Sequence, residues 1–171
     1  MVATPQYKAP GRRVLASAPG GEVPLWGLTL EHSQFSQPSF WLVNRPYAVT
    51  AFLENGAAQT YEPAYFELQL PTMDGQGQQD AQISMQNIDR RIIDELERAA
   101  ALPSERIQVT LRLFVETDLA SGPQNVPMRL SFSALSANNI AVAGTAGRPD
   151  TLNRAFPTEV YRVDRWPGLD R

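Results

Sequence analysis

The stretch Ile107-Gln108-Val109-Thr110-Leu111-Arg112-Leu113-Phe114-Val115 alternates apolar with mostly polar side chains along its length. Alternation puts every second side chain on one face of an extended chain, so this stretch predicts a long β-strand with a core-facing side. Three further runs alternate in the same way: Phe66 to Leu70, Ala81 to Met85 and Met128 to Ala134. The four runs together predict a mainly β protein.

Glycine-rich segments separate these runs in pairs. Asp74-Gly75-Gln76-Gly77 lies between the runs 66–70 and 81–85. Ser121-Gly122-Pro123 lies between the runs 107–115 and 128–134. Both are typical of loops, so each pair of runs predicts an antiparallel hairpin with a long connection.

The first sixty residues carry shorter apolar segments. They are Val23 to Leu30, Phe40 to Val43 and Tyr47 to Leu53, with Asn55-Gly56 following the last of them. Asn-Gly is a strong turn signal. Two or three short strands and a turn are therefore expected here.

One segment has helical rather than strand periodicity. Apolar residues recur at helical spacing, and charged residues occupy the other faces: the apolar set is Ile88, Ile92, Ile93, Leu96 and Ala100, and the charged set includes Asp94, Glu95, Glu97 and Arg98. Asn87 is a suitable N-cap and Pro103 a stop signal. The pattern predicts one amphipathic helix over about 87–101, with its charged face in solvent. The predicted class is α+β, with an antiparallel barrel- or sandwich-like sheet.

Length and composition predict the domain organisation of the chain. A chain of 171 residues with 43% hydrophobic content fits one domain. Residues 146–171 hold three prolines and five arginines with little periodicity. We therefore predict a single β-rich domain over 1–145 and, over 146–171, a C-terminal arm that crosses a surface in an extended conformation.

Charge and cysteine content narrow the partners and cofactors. The net charge of -3 predicts no specific nucleic-acid binding, because such binders need basic surfaces. The chain has no cysteine, which excludes disulfides and thiolate-bound metals or clusters within it. No apolar run approaches the roughly 20 residues that span a bilayer, and Met1 to Gly11 does not resemble a signal peptide, so synthesis and retention in the cytosol are expected.

The residues that carry enzymatic chemistry are sparse. His32 is the only histidine and lies in the polar stretch Glu31-His32-Ser33-Gln34, where a solvated histidine in a loop or at a strand end is the simplest interpretation. No metal-ligand spacing or phosphate-binding glycine motif is present. The sequence therefore predicts a protein that is not an enzyme, with no catalytic residue, cofactor or metal.

The aromatic residues leave two alternatives open. Most are expected in the core, but Trp26, Trp41 and Tyr61 could line a groove that binds a carbohydrate or receptor. Trp166 lies in the predicted arm, where it either docks on its own domain or anchors into a neighbour.

Several motifs, in order, carry a resemblance to a known family. They are the strand Tyr65 to Pro71, the strand-to-helix junction Ala81 to Ile92 with its Asn-Ile-Asp-Arg-Arg, the strand Val109 to Val115, and the ending with Phe156-Pro157, Tyr161 and Pro167-Gly168-Leu169. Over roughly residues 10 to 171 the chain resembles the DUF1833 family of small phage tail proteins. The first forty residues match least.

The resemblance implies a virion protein, assembled in the host cytoplasm, at the tail tip of a long-tailed bacteriophage. Proteins of this kind form homo-oligomeric rings, here of three or six copies, around the tail channel. They contact distal tail, hub and central fibre proteins, with the tape-measure protein as a further expected partner. The tail-tip protein L of lambda-like phages is similar but carries a cysteine-ligated cluster, which cannot be carried over to a chain without cysteine.

A ring subunit benefits from an arm that reaches its neighbour. In the predicted arm, Trp166 and Leu169 are expected to be the apolar anchors, and Arg162 and Arg165 are expected to pair with acidic groups of the next subunit.

Overall fold

A computed structural model describes residues 7–17, 23–70, 73–74, 77–78, 80–86, 90–102, 105–137 and 141–147. It contains eleven strands and two helices in this part of the chain. In chain order they are α1 (Ala9–Ser17), β1 (Pro24–Glu31), β2 (Phe40–Val43), β3 (Val49–Phe52), β4 (Ala58–Pro63), β5 (Tyr65–Gln69), β6 (Met73–Asp74), β7 (Gly77–Gln78), β8 (Ala81–Gln86), α2 (Arg90–Ala100), β9 (Gln108–Val115), β10 (Met128–Ala137) and β11 (Ala141–Gly147).

Nine of the strands form one sheet in the order β3-β4-β2-β1-β9-β10-β11-β8-β5. The mainly β prediction is confirmed. All neighbours pair antiparallel except β2 and β4, which are parallel, so the sheet is mixed. β3 and β5 are its two end strands, and the sheet does not close into a barrel.

The four alternating runs became β5, β8, β9 and β10, and both predicted antiparallel pairings are confirmed. The long connection between β5 and β8 carries the small β6–β7 hairpin. The three short apolar segments near the N-terminus became β1, β2 and β3. Gly56 forms the predicted turn with a φ of 77°, a conformation that glycine adopts without steric strain.

The central strands are buried on both faces. Leu28 and Leu30 of β1 pair with Leu111 and Val109 of β9 and belong to the larger apolar cluster, which also contains the buried face of α2. Leu25 pairs with Phe114, and both belong to a second cluster with Tyr61. Because side chains alternate along a strand, the two clusters lie on opposite faces of the sheet.

The amphipathic helix is confirmed as α2, over Arg90–Ala100. Ile92, Ile93 and Leu96 are buried against the sheet, as the spacing predicts. Asn87, Ile88 and Pro103 lie outside the described residues. The expectation of a single helix was wrong, because α1 precedes the sheet.

The sequence shows only weak helical or strand periodicity in the segments that form α1, β4 and β11. α1 contacts β1 and β9, and its Gly11 lies so close to Gln124 that an added Cβ would be 2.8 Å from the Gln124 Cβ. β11 is built of small residues, and it forms between β10 and β8, which pair with it on both edges. Its last residues, Ala146 and Gly147, belong to the sheet although the arm was predicted to start at 146.

Candidate functional site

The segment between β1 and β2, residues 32–39, is held against the sheet by an aromatic contact. Phe35 is buried, and its ring lies 5.2 Å from Phe40 and 5.6 Å from His32 between centroids. The Phe35 N–H also donates to the His32 carbonyl at 3.2 Å. The segment is therefore a fixed part of the structure, and its polar side chains have defined positions.

Glu95 of α2 also holds this segment. Its carboxylate accepts the Ser36 N–H at 3.1 Å and pairs with Arg98 at 3.0 Å. The hydrogen bonding of Ser36 and the nearby Arg98 lower the pKa of Glu95. Glu95 was expected on the solvated face of the helix, and that expectation was wrong, because the residue is only 5% exposed. The carboxylate of Glu95 on this helix surface thus anchors the segment 32–39.

His32 follows β1 directly, and its side chain is fully buried. The sequence predicted a solvated His32, and this prediction was wrong, because the side chain is buried. Nδ1 accepts the Gln34 N–H at 3.2 Å. Nε2 has no hydrogen-bond partner and lies 3.9 Å from a carboxylate oxygen of Glu105.

Glu105 lies across from His32 with its side chain 46% exposed. It accepts hydrogen bonds from the hydroxyl of Ser33 and, at 3.4 Å, from the Ser33 N–H. The Ser33 hydroxyl is the main cause that lowers the pKa of Glu105, so this carboxyl is ionised at neutral pH. His32, Ser33 and Glu105 thus meet although 72 residues separate the last two.

Two open clefts meet at the segment Gln37-Pro38-Ser39. The first cleft, of about 760 Å³, is lined by that segment and by further residues that include Glu31, His32, Ser33, Glu105 and Gln108. The second cleft is lined by the same segment together with Trp41, Gln59, Thr60 and Glu62. Neither lining contains lysine or arginine. The site offers carboxylates, amides and hydroxyls beside one indole ring.

Arg112 forms a separate polar cluster beside Trp41. Its guanidinium donates to Thr29 Oγ1 at 2.9 Å and to Glu54 at 2.8 Å, and it lies 5.4 Å from the ring centroid of Trp41. The rings of Trp41 and Tyr61 form an edge-to-face contact with their centroids 5.5 Å apart. The cluster fixes the position of Trp41.

The aromatic residues singled out in the sequence are separated by the fold. Tyr61 is buried at 1% exposure and cannot line a groove, so the predicted platform of Trp26, Trp41 and Tyr61 was wrong. Trp26 packs against the larger apolar cluster, and Trp41 lines the second cleft. Tyr65 is 59% exposed on β5.

The predicted interface residues Arg162, Arg165, Trp166 and Leu169 lie outside the described residues. Within the described ranges, no three histidine, aspartate or glutamate side chains are grouped so that they could hold a metal ion. In the same part of the chain, no helix has the length and apolar character needed to cross a membrane.

Within the described residues, the fold and site define a mainly β protein with an open nine-stranded sheet, two short helices and two adjoining polar clefts. The family model described as "Domain of unknown function (DUF1833)" matches residues 11–161, and the chain belongs to this family. No curated protein matches the chain.

Proposed function

We propose that this protein is a structural component of a bacteriophage tail tip, a baseplate hub or minor tail protein. It forms a ring around the tail channel and links the tail tube to the distal receptor-binding parts. Its place would be in the virion, with distal tail, hub, central fibre and tape-measure proteins as neighbours. Membership of the DUF1833 family, together with the resemblance of the motifs in β5, β8, β9 and the chain ending to phage tail proteins, is the source of this proposal.

The observation that carries the proposal is the open edge of β5. This strand pairs with β8 on one side, and no strand of the described chain pairs with its other side. An unpaired strand edge presents backbone N–H and C=O groups that can pair with a second chain. A head-to-tail contact of this kind, repeated by rotation, closes a ring.

The opposite end of the sheet is less available for pairing. The Phe52 N–H of β3 donates to the Leu119 carbonyl at 3.1 Å, so the loop that follows β9 covers part of that edge. Within the described residues, no loop covers the free edge of β5 in this way. The ring of Tyr65 on this strand is exposed. We therefore place the subunit contact at β5.

Tyr65→Lys should prevent ring formation, because a lysine on an edge strand opposes pairing with another strand. The measurement is mass by light scattering, followed by negative-stain imaging of the same sample. The wild type is expected at three or six copies and the variant as a monomer. Val126→Lys is the matched control, because Val126 is 64% exposed and lies away from β5 in the sequence. A wild-type protein that stays monomeric both alone and with the other tail-tip proteins would contradict the proposal.

Truncation after Gly147 tests the predicted arm separately. If Trp166 and Leu169 anchor into the next subunit, the truncated chain keeps its unfolding temperature but loses its ring. The same light-scattering experiment measures this, with circular dichroism melting as the control for folding. Unchanged assembly of the truncated chain would remove the arm from the interface while leaving the β5 contact in place.

A further inference from the structure

We propose that the first and second clefts, which meet at Gln37-Pro38-Ser39, form one binding site for a neutral, polyhydroxylated glycan. This inference goes beyond the structural role above and does not depend on ring formation. It rests on the chemistry of the cleft lining, on the buried donor of His32, and on the position of Trp41.

The lining matches the hydrogen bonding of sugar hydroxyls. Each hydroxyl both donates and accepts, and the clefts present acceptors in Glu31 and Glu105 together with amides and hydroxyls that do both, such as Gln37, Ser39 and Gln108. Because the lining holds carboxylates and no lysine or arginine, phosphates and acidic sugars would be repelled. The fitting ligand is therefore neutral.

His32 supplies a donor that the protein leaves unsatisfied. Nδ1 accepts a backbone N–H, so the ring proton lies on Nε2, which has no partner. A buried donor without a partner is unfavourable, and a ligand oxygen that accepts from it removes this cost.

The space between His32 and Glu105 suits a hydroxyl group. Nε2 and the carboxylate oxygen are 3.9 Å apart, too far for a direct hydrogen bond. Both residues line the first cleft, and the Glu105 side chain is 46% exposed, so a ligand hydroxyl can reach its carboxylate. That hydroxyl would accept from His32 and donate to Glu105, which places this contact in the first cleft.

Trp41 supplies the apolar part of the site in the second cleft. Sugar rings present C–H faces that pack on aromatic side chains, and such pockets combine one or two rings with a few polar groups. The contacts of Trp41 with Tyr61 and Arg112 hold the indole in place before any ligand arrives. The site is therefore preorganised for binding.

The test uses the purified full-length chain and a panel of neutral hexasaccharides built from glucose, galactose, mannose or N-acetylglucosamine. Titration calorimetry should detect binding of at least one of them, with little dependence on salt because neither partner contributes a charge pair. Glu105→Gln should weaken that binding at least ~10-fold, through loss of a charge-assisted hydrogen bond, and Gln37→Ala should weaken it further in the double variant.

Glu97→Gln is the matched control, because it makes the same change at an exposed residue of α2 that lines neither cleft. All variants should keep the wild-type unfolding temperature. The proposal is overturned if no neutral hexasaccharide binds at millimolar concentration, or if Glu105→Gln binds as well as the wild type. Because the readout is binding by the purified protein, failure here leaves the ring proposal untouched, and the reverse also holds.

Discussion

Leu96→Ala should lower the free energy of unfolding by about 2–5 kcal/mol, the range for removing a large buried aliphatic side chain. Leu96 is fully buried in the contact between α2 and the sheet, within the larger apolar cluster. The α2 segment Arg90–Ala100 is only 11 residues long, and a helix this short depends on packing for its stability. Urea unfolding followed by circular dichroism measures the loss.

The neighbouring residue gives the control for this substitution. Glu97 is exposed on the same helix, and Glu97→Ala changes a side chain without opening a cavity. Its unfolding curve should therefore stay within about 0.5 kcal/mol of the wild type. If both variants unfolded alike, the packing of α2 on the sheet would be misassigned.

Tyr61 should make the stability of the protein depend on pH in the alkaline range. Burial raises the pKa of Tyr61 to about 12, partly offset by the charge of Arg112. Below pH 10 the phenol is protonated in the folded and unfolded states alike, and its full contribution to stability is present. Between about pH 10 and 12 the unfolded chain releases the proton first, so the free energy of unfolding falls as pH rises, by ~3 kcal/mol in total.

The substitution Tyr61→Phe isolates this effect. The variant should lose less stability than the wild type between pH 10 and 12, measured by urea unfolding at each pH. At pH 7 it should be at least as stable, because the Tyr61 hydroxyl is buried without a hydrogen-bond partner. Tyr65→Phe changes an exposed ring, so its free energy of unfolding should match that of the wild type at each pH. Parallel curves for Tyr61→Phe and the wild type would show that Tyr61 does not titrate in this range.

The candidate site was less predictable from the sequence than the fold. His32 stood out as the only histidine, yet nothing near it in the sequence indicates that its ring is buried beside Glu105. Glu95 lay in an ordinary pattern of helix charges, and only its contact with the Ser36 N–H distinguishes it from its exposed neighbours. Trp41 was recognised as a possible binding residue, but its supposed partner Tyr61 is buried.

The sequence by itself determined which segments are β5, β8, β9, β10 and α2. Apolar residues that recur at every second position in a strand, or every three to four positions in a helix, show which side chains share a face. This pattern can be recognised within one short segment. The tertiary structure alone decided the order of the nine strands, the parallel pairing of β2 with β4, and the formation of α1 and β11. These depend on contacts between segments far apart in the chain, which periodicity does not encode. The burial of His32 beside Glu105 has the same cause, since a polar residue enters the interior only where another segment completes its surroundings.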